Sequence, residues 1–155
     1  MADQGPPPTL TRRRRSARVI LVNSRRDVLL IRFVVERQNH PFIFWATPGG
    51  EVESNETDID AARRELQEEL GLDIDLAGPV HKFTSEFEHE GSVVSNTDVF
   101  FVGRCDAPTP DLQFATQAER VAMKELRWWP IAELERTEEV VFPSDLSKAL
   151  EAINR

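Results

Sequence analysis

Three glutamates in five residues, Glu65, Glu68 and Glu69, form the densest acidic feature of the chain, with Glu51, Glu53 and Glu56 shortly before them. On a helix of 3.6 residues per turn, Glu65 and Glu69 are i and i+4, and Glu68 is i+3 from Glu65. All three project along one flank. Like charges at this spacing repel by about 0.2–0.5 kcal/mol per pair, so a purely structural helix gains by changing one to lysine. A divalent cation turns the repulsion into attraction. Hard carboxylate oxygens on a rigid element suit Mg²⁺ or Mn²⁺, which take few carboxylates and keep waters and substrate phosphates. The competing reading is a solvated acidic face, which three glutamates taken alone favour. Arg64 pairs with Glu68 at i+4, but in the poorer orientation.

The element carrying these groups is expected to be a helix from about Asp58 to Leu70. Thr57 and Asp60 have the spacing of a capping box, Asp58 and Asp60 suit the positive end of the dipole, and Gly71 suits the C′ position. Ile59, Ala62, Leu66 and Leu70 recur at helical spacing and supply the buried stripe. Before the helix, Val19–Val22 and Val28–Ile31 read as strands around the turn Asn23–Asp27. Phe42–Trp45 is a third strand after the breaker Asn39-His40-Pro41, and Pro48-Gly49-Gly50 opens an irregular acidic loop. After the helix, Val80–Glu90 alternates with period two, and Val93–Arg104 returns as a strand past Glu90-Gly91-Ser92. A proline-broken loop spans about Cys105–Ala118, and Leu126–Trp129 is a short strand ended by Pro130. Ile131–Leu134 makes a helical turn, and Ser144–Ile153 a helix capped by Ser144. Strands around a central helix plus a terminal helix predict an α+β fold, an α/β/α sandwich.

Length and composition set outer bounds. The 155 residues make one domain, with 40% hydrophobic and 30% charged residues. Cys105 is the single cysteine, so neither an internal disulfide nor a multi-cysteine zinc site is available. No apolar run approaches the roughly 18 residues of a membrane span, and the polar start is no secretory signal. The expected location is cytoplasmic. A net charge of −8 excludes a broadly basic nucleic-acid binder. The charge is uneven: residues 1–18 carry +4, the rest −12. Residues 1–17 are expected to be a disordered Pro/Arg-rich leader, with Arg12–Arg15 a flexible solubilising arm, and residues 18–155 the folded domain.

Gly50, five residues, Glu56, seven residues, then Arg64-Glu65-Leu66-Gln67-Glu68-Glu69-Leu70-Gly71-Leu72 resembles the Nudix box at every specified position. From ordinary residue usage, a chance match at a given start is on the order of one in a billion. Weaker likeness extends over Trp45–Gly50 and over Leu126–Pro130 with Glu133-Leu134. The resemblance implies a Nudix fold, with a mixed central sheet between helices. It also implies a Mg²⁺-dependent hydrolase (Mn²⁺ serving as well) that cleaves the pyrophosphate linkage of a nucleoside diphosphate linked to another group.

By that resemblance Glu65 and Glu69 are metal ligands, with Glu68 direct or through water and the Gly50 carbonyl a further ligand. Arg64 orients the carboxylates and Glu56 supports Arg64 or the box loop. The general base is Glu119, in the loop before the last strand, or Glu68. Glu86, Glu88 and Glu90 share a strand face, which is a solvated face or an extra metal site. Trp45, Trp128 and Trp129 are large enough to stack a base but read as core, and His40, His81 and His89 as structural or solvent-facing. The sixteenth residue after Gly71 is Phe87, where ADP-ribose enzymes of the family carry proline, and the NADH-pyrophosphatase array is missing. Both absences lean toward nucleoside triphosphates or similar small nucleotides.

The expected partner is thus a small-molecule nucleotide. RNA is less favoured, as substrate of a 5′-pyrophosphohydrolase whose phosphates Arg12–Arg15 would hold. No membrane is expected, and a homodimer is left open. A non-catalytic nucleotide-sensing module is a third reading, and such a module would be free to lose the carboxylates that are all retained here.

Overall fold

A computed structural model describes residues 10–37, 39–89, 91–106, 109–114 and 116–153. Eight strands form one mixed sheet: β1 (Leu10–Val22), β2 (Val28–Arg37), β3 (His40–Ala46), β4 (Gly49–Glu51), β5 (Ala77–His89), β6 (Ser92–Arg104), β7 (Met123–Trp129) and β8 (Val141–Phe142). Four helices accompany it: α1 (Asp58–Leu70), α2 (Gln117–Ala122), α3 (Ile131–Arg136) and α4 (Leu146–Ile153). The main path of the sheet runs β5-β6-β1-β2-β3-β8, with β4 on β1 and β7 on β2. The β1–β6 and β3–β8 pairs are parallel and the others antiparallel.

The period of two along the central strands builds two cores. Ala17, Val19 and Leu21 of β1, Leu29 of β2 and Val99 and Phe101 of β6 pack with Ala61, Ala62, Leu66 and Leu70 of α1. The alternate residues Ile20, Val22, Val28, Leu30 and Phe100 pack on the other face with Trp45, Trp129 and Leu146, Ala149 and Leu150 of α4. Helices on both faces of one sheet make the expected α/β/α sandwich.

The sheet splits where the site lies. β1 and β2 register only at Val22–Val28, beside the Asn23–Asp27 turn. Beyond that pair β1 takes β4 as its antiparallel neighbour, while β2 takes β7 and β3. The short strand β4 therefore sits on β1, with Ala17 opposite Gly50 and Arg18 opposite Gly49.

Several boundaries differ from expectation. Residues 10–17 are not leader but the first part of β1, paired with β6 from Leu10–Val93 to Ala17–Val99. Arg12–Arg15 are accordingly not a flexible arm. Parallel pairing with a strand some 80 residues on holds them, and nothing local in the sequence signals it. The loop after Pro48 contains β4, and the loop before the last long strand contains α2, capped by Thr116. α4 begins at Leu146, past Ser144, and Pro41 lies inside β3 opposite Glu36.

Candidate active site

Helix α1 has the bounds, cap and terminator its sequence requires. The Thr57 hydroxyl accepts from the Asp60 N–H, and Gly71, at φ 65°, donates its N–H to the Gln67 carbonyl. Ala61, Ala62, Leu66 and Leu70 are buried against the sheet. The rotation that buries Leu66 carries Glu65, Glu68 and Glu69 to the mouth of the β1–β2 split.

Glu69 goes deepest, with 4% of its surface exposed. Its Oε1 accepts the Gly49 N–H at 2.7 Å. Burial pushes its carboxyl up to about 8, although the Gly49 N–H pulls the other way. A carboxylate this dry needs a proton or a cation. Glu65 is also raised by burial, opposed by Arg64. It lies so close to the loop that a Cβ at Gly50 would stand 2.5 Å from its Oε1, so only glycine leaves the carboxylate this place.

Arg64 organises the remaining acids. Its Nε donates to Glu56 Oε2 at 2.7 Å and its Nη2 to Glu56 Oε1 at 3.1 Å. Its Nη1 donates to Glu65 Oε1 at 3.0 Å and Glu68 Oε2 at 3.3 Å, and Nη2 also reaches the Glu51 carbonyl at 3.1 Å. Glu56 is pulled below the usual carboxylate range, chiefly by Arg64, and its Oε1 also accepts the Glu53 N–H at 2.9 Å.

Glu119 enters from α2. Its backbone N–H donates to the Thr116 hydroxyl at 3.1 Å, and that hydroxyl faces its Oε1 at 3.3 Å. Its charge adds to the upward push on Glu65 and Glu69.

Gly50, Glu65, Glu68, Glu69 and Glu119 thus line one cavity of about 470 Å³. Phe33 of β2 and Phe44 of β3, and Arg14 and Arg18 of β1, also line it. A smaller recess of about 140 Å³ adjoins through Arg18, Phe44 and Ala46 and reaches Phe83, Asp98 and Phe142. Arg18 is anchored there, Nε to Asp98 at 2.8 Å and Nη1 to the Thr47 carbonyl at 3.0 Å.

Among the described residues no three acidic, histidine or cysteine side chains already converge as a closed metal cage. The donor set nonetheless fits a Mg²⁺-like ion, which uses one or two carboxylates and fills its other positions with water and substrate oxygens. The buried Glu69 supplies the demand for charge, and Glu65 and Glu68 can be supplied from Arg64.

Other candidates lie elsewhere. Trp45 and Trp129 are core, edge to face at 5.2 Å, and Trp128 bonds Thr109 away from the carboxylates. His81 pairs with Asp145 at 3.0 Å. Glu86 is exposed and does not line the cavity. The side chain of Glu88, and Glu90 altogether, lie outside the described residues. Arg14, Arg18 and Phe44 escape a motif search. For the two arginines the signal is the face each takes along a strand, legible only once the strand is known.

A model of the NUDIX domain matches residues 12–150, and the chain belongs to that family. The match begins inside the stretch expected to be leader. An 8-oxo-dGTP diphosphatase of Proteus vulgaris is 48% identical over 44 residues, 27% of this chain and 39% of that protein. An uncharacterised Nudix hydrolase of Listeria monocytogenes is 34% identical over 70 residues, 45% of this chain and 41% of that protein. The chain thus spans about two fifths of the length of the curated relatives it matches. The crystal structure of a MutT NUDIX hydrolase from Burkholderia pseudomallei superposes with a TM-score of 0.66 at 19% identity, over 91% of this chain and 98% of that one. At that identity the likeness establishes the fold. Members of the family generally use divalent metal ions.

Proposed function

We propose that the chain is a Mg²⁺-dependent hydrolase of the pyrophosphate linkage of a small nucleotide, a nucleoside triphosphate or a close relative. One observation carries this reading: one cavity is lined by Gly50, Glu65, Glu68, Glu69 and Glu119 together with the aromatic rings of Phe33 and Phe44, which stack at 5.1 Å. The acidic half suits metal and phosphate, and the aromatic half suits a base. The 8-oxo-dGTP diphosphatase likeness agrees with that substrate class.

In this reading Glu65, Glu69, Glu68 and the Gly50 carbonyl hold the metal. When bound, the ion neutralises phosphate charge and lowers the pKa of a coordinated water. The protein positions the rest. Arg64 fixes Glu65 and Glu68 while Glu56 fixes Arg64. A water oxygen bonds to phosphorus, the bridging P–O bond breaks, and the electron pair leaves with the bridging oxygen. The water's proton goes to Glu119. Glu119 is the better base because the hydrogen bond to its carboxylate comes from the neutral Thr116 hydroxyl, whereas Glu68 is held by the Arg64 guanidinium.

Incubation with Mg²⁺ and a panel of nucleoside triphosphates, sugar nucleotides and triphosphorylated RNA, with products identified, tests this. Turnover of a nucleotide, abolished in Glu69→Gln, is expected. No turnover of any member, or a Glu69→Gln variant as active as the parent, sinks the reading. Turnover confined to RNA would replace the small-nucleotide substrate.

A further inference from the structure

The run Arg12-Arg13-Arg14-Arg15 has no part in the reaction described above. Along β1, side chains alternate between faces, so Arg12, Arg14 and Arg18 share one and Arg13 and Arg15 the other. Most of these arginines are already engaged. Arg15 grips both Asp58 oxygens at the start of α1, Nε to Oδ1 at 2.7 Å. Arg18 holds Asp98 and the Thr47 carbonyl. Arg12 Nη2 donates to Glu51 Oε1 at 3.2 Å.

Arg14 differs. It lines the cavity of the carboxylates. Its Nη2 stands 3.6 Å from Glu51 Oε2, beyond hydrogen-bond range. Its Nε is shut off from solvent and finds no hydrogen-bond partner among the described residues. A buried donor left unsatisfied costs about 1–3 kcal/mol, so a turn of the side chain that offers it an acceptor is favoured. The guanidinium fork matches phosphate oxygens, and it lines the same cavity as Glu65, Glu68 and Glu69. Glu51 keeps Arg12 if Arg14 turns away.

We propose that Arg14 binds a non-bridging oxygen of the substrate's phosphate chain and so selects nucleoside polyphosphates. The proposal rests on the nucleotide-hydrolase reading for the identity of the substrate. Arg14 reads phosphate charge, and base and sugar are read elsewhere in the cavity.

Two probes separate these roles: an α,β-imido nucleoside triphosphate and inorganic tripolyphosphate, each titrated calorimetrically with Mg²⁺ into the full chain. Arg14→Gln is expected to weaken both by roughly tenfold to a hundredfold, as for a lost charged hydrogen bond. Arg14→Lys recovers part of the loss. Arg13→Gln, which removes the same charge from an exposed position on the opposite face of β1, binds like the parent. In turnover, Arg14→Gln raises KM more than it lowers kcat.

Parent-like binding of both probes by Arg14→Gln overturns the proposal. So does a loss confined to the nucleotide analogue, which would assign Arg14 to base or sugar, or a parent that binds no tripolyphosphate. If Arg14→Gln does not fold, Arg14→Lys carries the comparison, and parent-like binding by it overturns the proposal. Arg14-dependent tripolyphosphate binding in a parent that hydrolyses no nucleotide would uphold Arg14 and sink the hydrolase reading alone.

Discussion

Arg64 and Glu56 meet through two hydrogen bonds, Nε to Oε2 at 2.7 Å and Nη2 to Oε1 at 3.1 Å, across the loop between β4 and α1. With one arm fixed on Glu56, the other reaches Glu65 and Glu68. The pair is a bracket that sets where two carboxylates of the cavity stand. It explains why arginine suits this position and lysine does not: the planar fork makes five contacts at once, to Glu56 twice, Glu65, Glu68 and the Glu51 carbonyl, and a three-donor ammonium cannot.

Glu56→Gln keeps the shape and removes the charge that anchors the bracket. We expect the variant to fold and turnover to fall by about tenfold to a hundredfold, as for other groups that orient metal-holding carboxylates. The apparent Mg²⁺ requirement should rise with it. Steady-state rates across a Mg²⁺ series check this, and parent-like rates at every concentration would show that Arg64 needs no anchor.

Gly50→Ala tests the carboxylate end. The added methyl would meet the Glu65 carboxylate, Oε1 at 2.5 Å and Cδ at 2.6 Å, and both belong to the far end of a side chain that can move. The expected result is a protein of nearly parental thermal stability with a displaced Glu65. Its Mg²⁺ affinity should fall and its activity should drop at least tenfold. A large fall in melting temperature would instead mean that β4 cannot take the side chain.

What the sequence discloses follows from how local each determinant is. α1 is readable because Thr57, Gly71 and the 3.6-residue stripe act within the helix itself, and the structure returns the expected bounds. The box spacing places Glu65, Glu68 and Glu69 on the flank beside that stripe. β4 is missed because three residues carry no period, and it exists through pairing with Ser16–Arg18 more than 30 positions earlier. α2 is missed for a similar reason. Its six residues bury no side chain, so no apolar stripe marks them, although Thr116 and Glu119 have capping-box spacing. The start of β1 is the hardest case. Four consecutive arginines show no apolar alternation, and only the pairing of Arg12–Arg15 with Val94–Thr97 makes them a strand.

Arg15 and Asp58 supply an acid-sensitive contact between β1 and α1. The Asp58 carboxyl is held below its ordinary value of 3.8, chiefly by the hydrogen bond from Arg15. Because the folded value is the lower one, the contact stabilises fully above the unfolded pKa of about 4 and is lost as pH falls through the folded value. Both partners are partly exposed, so the contribution is at most about 1 kcal/mol. Chemical denaturation should show Asp58→Asn less stable than the parent at pH 7, with the difference shrinking steadily as pH falls below the unfolded pKa of about 4. A difference that persists undiminished into strong acid would assign the effect to packing.

Removal of residues 1–17 distinguishes a strand from a leader. The truncation takes the residues from Leu10 to Ala17 out of the 13-residue strand β1. It strips the β6 partners Val93 to Val99 of their parallel neighbour and exposes the Ser16–Ala17 pairing of β4. It also deletes Ala17 from the core beneath α1 and Arg15 from Asp58. The lost burial of Ala17, seven lost β1–β6 pairs and an opened sheet edge each act in the same direction. We therefore expect the truncated chain to aggregate or to melt at least about 10 °C below the parent, a shift that needs only a few kcal/mol at this size. A folded truncation with parental melting temperature would show that β1 is dispensable before Arg18.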